Sequence, residues 1–127
     1  MLNHVSIGVP SLTKAKAFYD ATLSVLGFRC LSQDAASLGY GDETVEFWVL
    51  KVEKPSVQKI TPGLHICFTA ATRDDVNRFH AAGLGHGGRD NGPPGPRPDY
   101  GPDYYAAYLI DPDGYRVEAY YAQEASK

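Results

Sequence analysis

Two hydrophobic periods alternate along the chain, and their order occurs twice. Over residues 3–9, Val5, Ile7 and Val9 oppose His4, Ser6 and Gly8, the two-residue alternation of a strand. Pro10 ends it and Ser11 is placed to cap a helix. Leu12, Ala15, Phe18, Tyr19, Thr22, Leu23 and Leu26 then recur at i, i+3 and i+4, which predicts an amphipathic helix lying on a sheet, with Gly27 as its stop. Strands are expected at residues 28–31, 37–41 and 44–51, the last with Glu46, Trp48 and Leu50 opposing Val45, Phe47 and Val49. Residues 53–62, with Pro55 and Pro62, read as a connector.

The second half opens on a strand at residues 64–69, where Leu64, Ile66 and Phe68 oppose His65, Cys67 and Thr69. Thr72 and Asp75 form a capping-box-like start to a helix whose buried stripe is Val76, Phe79, His80, Gly83 and Leu84. Residues 85–92 are glycine-rich and predict a short strand running into a loop. Residues 90–103 hold too many prolines for a helix or an interior strand, and read as a loop over a site. A strand follows at residues 104–110, and Asp111–Gly114 turns into the last one. There Val117 and Ala119 oppose Arg116, Glu118 and Tyr120.

Leu2-Asn-His-Val-Ser-Ile7 resembles Gly63-Leu-His-Ile-Cys-Phe68, and the spacing that carries His4 onto His65 also carries Phe18 onto Phe79 and Leu23 onto Leu84. Later the spacing grows, with Val45-Glu46 matching Val117-Glu118, as an insertion near residues 88–102 would cause. This predicts an α+β fold of two pseudo-symmetric modules, about residues 1–55 and 62–124, within one domain spanning 1–127.

A net charge of −3 gives no reason to expect nucleic acid as a partner, and no run of apolar residues is long enough to span a membrane. Two cysteines and no visible leader fit a cytoplasmic protein with reduced thiols. The duplicated positions carry the chemistry. His4, His65, Glu46 and Glu118 all fall on the faces turned away from the helices, so a pseudo-twofold would bring two imidazoles and one or two carboxylates around one cavity. Such a set suits a divalent transition metal, whether Zn, Ni, Mn or Fe(II). His4, His65 and Glu118 are the expected ligands. Glu46 is either a fourth ligand or solvent-facing, and His80 and His86 break the pattern. Arg97 and Tyr100, in the proline-rich loop, are expected to meet an anionic group and a flat surface on a substrate.

Leu2-Asn-His4-Val, Ala17-Phe-Tyr19 with Leu26-Gly-Phe28, Gly63-Leu-His65, and Asp111-Pro-Asp-Gly114 before Val117-Glu118 together resemble the vicinal oxygen chelate superfamily of glyoxalase I, extradiol dioxygenases and the bleomycin- and fosfomycin-resistance proteins. The resemblance covers nearly the whole chain. It implies paired βαβββ modules forming a half-open mixed β-barrel with flanking helices, around a metal held by His4, His65 and Glu118. Glu46 stands at the position of the fourth ligand in glyoxalase I. The implied activity is metal-dependent lyase, isomerase or dioxygenase chemistry on a small vicinal-oxygen substrate, through Lewis-acid stabilisation of an enediolate or oxyanion. Glu46 would be the general base, Tyr108 or Tyr40 a cavity acid/base, and Trp48 and Tyr40 part of the substrate wall. The other reading the resemblance allows is a bleomycin-resistance-like protein that binds a small molecule without chemistry. A homodimer is a further family expectation.

Overall fold

The computed structural model describes residues 1–53 and 63–122. The connector read at residues 53–62 lies outside them except for Glu53. Each half contributes four strands and a helix. In the first, β1 (Val5–Val9) leads to α1 (Leu12–Val25), β2 (Arg29–Gln33), β3 (Ser37–Gly41) and β4 (Val45–Lys51). In the second, β5 (Ile66–Thr69) leads to α2 (Arg73–Gly85), β6 (Arg89–Pro96), β7 (Tyr105–Ile110) and β8 (Arg116–Tyr121). The strand orders are β1-β4-β3-β2 and β5-β8-β7-β6. Both sheets are mixed: β1–β4 and β5–β8 are parallel, the remaining pairs antiparallel. A helix bridges each parallel pair's first strand to the rest, as a parallel pairing requires a long crossover.

The apolar stripes go where the periodicity points them. Phe18, Tyr19 and Leu23 of α1 and Val76 and Phe79 of α2 are buried against Ile7, Phe47, Val49, Leu109 and Val117, in one core shared by both halves. Gly27, at φ 90°, stops α1 in a conformation that disfavours a Cβ. At Thr72 the hydroxyl accepts from the Asp75 N–H at 3.0 Å and starts α2, whereas the Ser11 side chain makes no capping bond.

The halves are pinned together by polar groups as well. Tyr19 donates from α1 to the Asp111 carboxylate at 2.5 Å. That carboxylate also accepts from the N–H groups of Asp113 and Tyr115, so it holds its own turn as it holds the helix. Tyr115 in turn donates to the Gly8 carbonyl at 2.6 Å.

One element departs from expectation. Part of the proline-rich stretch expected as loop is β6, paired with β7. It is an edge strand with register shifts on both sides of Gly92, which is where a sheet tolerates residues lacking an N–H. The loop is reduced to the segment between Pro96 and Tyr105.

Candidate functional site

β8 lies inside the second sheet, between β5 and β7, with Cys67 and Tyr108 directly abreast of Glu118. Alternation along β8 sends Val117 and Ala119 into the core and Glu118 to the opposite face. On that face the Glu118 carboxylate is still only 4% exposed. His65, one residue before β5, places Nε2 2.6 Å from one carboxylate oxygen. The Tyr104 hydroxyl donates to the other at 2.6 Å. Each oxygen of the buried carboxylate thus has a hydrogen-bond partner, which offsets part of the cost of its burial. Tyr104 comes from the short β6–β7 loop, stacks on Tyr120 at 4.8 Å between centroids, and takes Tyr100 edge-on at 5.4 Å. These rings roof a cavity of about 470 Å³, lined also by His65, Tyr108, Arg116 and Asn91.

Burial, and then the Glu118 charge, raise the phenols. Tyr108 is pushed up to about 12 and Tyr104 is raised as well, with its hydrogen bond to Glu118 contributing. Both therefore stay protonated at neutral pH and act as hydrogen-bond donors. Burial also pushes the Cys67 thiol up to about 12, so it is no thiolate nucleophile.

A second cavity of about 360 Å³ lies along the seam between the halves, bordered by His4, Glu46, Phe47, His65 and Phe68. His65 lines both cavities. His4 precedes β1 as His65 precedes β5, so the repeat read at the histidines holds in the fold. His4 is exposed, however, with Nδ1 2.7 Å from the Asn3 side-chain oxygen. Among the described residues no three His, Cys, Asp or Glu side chains stand close enough together to hold a metal ion. The donors fit a divalent metal in kind, an imidazole and a carboxylate side by side, and fall short in number.

The ladder corrects the pairing of the glutamates. Ser6 faces Trp48 as Cys67 faces Glu118, so the residue equivalent to Glu118 in the first half is Trp48. By the same register the equivalent of Glu46 is Arg116. The sequence match Val45-Glu46 with Val117-Glu118 was displaced because the loops before the last strands differ in length. Other expected site residues spread out. Tyr40 is a core residue whose hydroxyl donates to Asp20 at 2.8 Å, leaving only its ring at the seam cavity. Trp48 covers Gly39 and borders neither cavity. Arg97 folds back onto the carbonyls of Pro93 and Pro96 and lies over the Tyr108 ring, outside the lining of both cavities. Tyr100 and Tyr108 do line the roofed cavity. Tyr104 and Arg116 were not singled out. The signal for Arg116 was present, since it shares a strand face with Glu118.

The model of the Glyoxalase/Bleomycin resistance protein/Dioxygenase superfamily matches residues 1–119. The chain belongs to this superfamily. A glyoxalase/bleomycin resistance protein from Albidiferax ferrireducens T118 is 30% identical, with a TM-score of 0.82 over 95% of this chain and 98% of that one. Two more distant superfamily structures share the fold. A glyoxalase-related enzyme from Fulvimarina pelagi is 15% identical (TM-score 0.75; 95% and 87% covered), and the fosfomycin resistance protein FosX from Mesorhizobium loti is 18% identical (TM-score 0.70; 97% and 92% covered). No protein of curated function matches the sequence significantly. Two repeated modules build the chain, and no helix among the described residues is long and apolar enough to cross a membrane.

Proposed function

We propose that the chain is a metal-dependent glyoxalase-like enzyme that acts on a small substrate with adjacent oxygens. The observation that carries this reading is the buried Glu118 carboxylate, fixed against His65 Nε2 at 2.6 Å on a cavity wall. Burying an acid on an otherwise open sheet face costs stability, and His65 with Tyr104 offsets only part of it. His65 and Glu118 would hold the metal, with His4, which borders a cavity with His65, as the third donor. A divalent ion (Zn, Ni, Mn or Fe(II)) would polarise the substrate oxygens and stabilise negative charge developing on them. Tyr104 keeps Glu118 in one orientation. Tyr108, protonated at neutral pH, donates a hydrogen bond to a substrate oxygen. Glu46 borders the seam cavity and makes no hydrogen bond among the described residues, so a substrate lying across His65 would meet a carboxylate able to take its proton.

Metal analysis of protein purified without chelator tests this. The unaltered chain is expected to carry or take up close to one equivalent, and folded Glu118→Gln and His65→Ala variants to lose it. Full metal uptake by both variants would sink the assignment. The exposed position of His4, apart from the other two donors, favours the second reading, a binding protein without chemistry. That reading predicts ligand binding that survives chelator.

A further inference from the structure

Arg116 stands two residues before Glu118 on the same strand face and lines the roofed cavity. Its Nε is buried and has no hydrogen-bond partner among the described residues. No carboxylate among the described residues lies within ion-pair distance of its guanidinium. Glu118 is not its counter-ion, because both Glu118 oxygens are already held by His65 and Tyr104. Asp113, the other buried group with an unpartnered atom, has Lys14 as its charged neighbour. A guanidinium N–H taken out of water without an acceptor is costly, and folded chains retain few such groups.

The rest of the cavity points the same way. The Tyr108 hydroxyl lines the cavity and has no acceptor among the described residues. Asn91 brings a side-chain amide to the wall. The unmet capacity of this cavity is therefore weighted toward donors: a guanidinium, which can only donate, with a phenol and an amide that can donate beside it. Tyr100 and Tyr104 add ring surface at the roof. The ladder register sharpens the contrast between the halves, since the position equivalent to Arg116 in the first is the exposed acid Glu46.

We propose that Arg116, with Tyr108 and Asn91, forms an oxyanion-binding subsite, and that the substrate is a small, flat molecule carrying a carboxylate or a comparable oxyanion. The planar fork of arginine matches two oxygens of such a group, and charge-assisted bonds of this kind are about twice as strong as neutral ones. Arg116 thereby takes the anion-recognition part that the sequence suggested for Arg97. The proposal rests on the reading that the roofed cavity is the substrate site. It does not rest on metal binding.

Benzoate is the probe, with benzamide as its uncharged isostere, titrated into the full chain and followed by calorimetry and by the NMR signals of the Arg116 Nε–H and the Asn91 amide. Benzoate is expected to bind, to shift both signals, and to bind at least about tenfold more tightly than benzamide, the factor that about 1.4 kcal/mol represents. Arg116→Gln should weaken benzoate by about tenfold or more and leave benzamide unchanged. Arg116→Lys, which keeps the charge and loses the fork, should fall between, and it supplies the comparison if the Gln variant does not fold. The subsite is overturned if benzoate does not bind, if benzamide binds equally well, or if both Arg116 variants bind benzoate like the unaltered chain. Loss of metal binding in Glu118→Gln with benzoate binding retained would separate the two assignments, since only the metal reading depends on that carboxylate.

Discussion

Glu118 and its two partners show how one acid is held in a fixed orientation inside a sheet. On the proposed reading, Tyr104 acts through Glu118. Its phenol fixes one carboxylate oxygen and its ring, stacked on Tyr120, keeps the loop down over the cavity. Partners that orient a metal ligand typically contribute ten- to hundredfold to metal affinity. Tyr104→Phe preserves the stacking and removes only the hydrogen bond. It is expected to weaken metal binding by about ten- to hundredfold while leaving the circular dichroism spectrum unchanged, as titration with a metal-indicator competition assay would read. An unchanged affinity would reduce Tyr104 to a packing residue. At this scale the sequence was legible where a residue's face was fixed by alternation: strand period put Glu118 on the side of β8 turned away from the core, and the repeat put His65 just before β5 as His4 stands just before β1. It was illegible where a loop decides the contact. Nothing in the order of residues 97–105 tells that Arg97 turns back onto its own loop while Tyr104 reaches Glu118.

Among the elements, the β7–β8 turn carries more than its length suggests. Asp111 accepts from two turn N–H groups and from Tyr19 on α1, and is 2% exposed. Asp111→Ala leaves a buried phenol and two N–H groups without their acceptor and is expected to cost roughly 2–4 kcal/mol in urea unfolding. Burial raises the Asp111 carboxyl above its ordinary value, although its hydrogen bonds pull the other way. A folded-state value above the unfolded one means a contribution fully present below the unfolded pKa, near 3.8, and lost as pH rises through the raised folded value. Unfolding measured from pH 3 to 6 should show this decline in the unaltered chain and a flatter profile in Asp111→Asn. The turn itself was plain from Asp-Gly, and Gly114 does adopt φ 99°. The short strand read within residues 85–92 is the start of β6, but its continuation to Pro96 was not legible, because proline argues against strands everywhere except at an edge, and edge position is a property of the assembled sheet.

For the molecule as a whole, the two-module α+β plan was readable because duplication writes the same hydrophobic order twice. The relation between modules was only half readable. Matching by residue type joined Glu46 to Glu118, whereas the ladder joins Trp48 to Glu118 and Glu46 to Arg116. Acids recur on any solvent-turned strand face, and loop lengths hide the true register. The fold thus holds one asymmetric site rather than two copies of it, with the carboxylate and the guanidinium both on the second sheet. The halves nevertheless share a core: Phe47 meets Phe68 edge-on at 5.4 Å, and Phe18 of α1 comes within 3.2 Å of the point where a Cβ on Gly83 of α2 would sit. The chain has a single tryptophan, Trp48, on the sheet that lacks the carboxylate. Its emission is therefore an optical label for the first half alone, while seven of the nine tyrosines, those at the roofed cavity among them, lie in the second half and dominate its near-ultraviolet signal. If the shared core makes folding all-or-none, denaturant curves from the two signals will overlay; curves that separate would mean that one half can open while its twin stays closed.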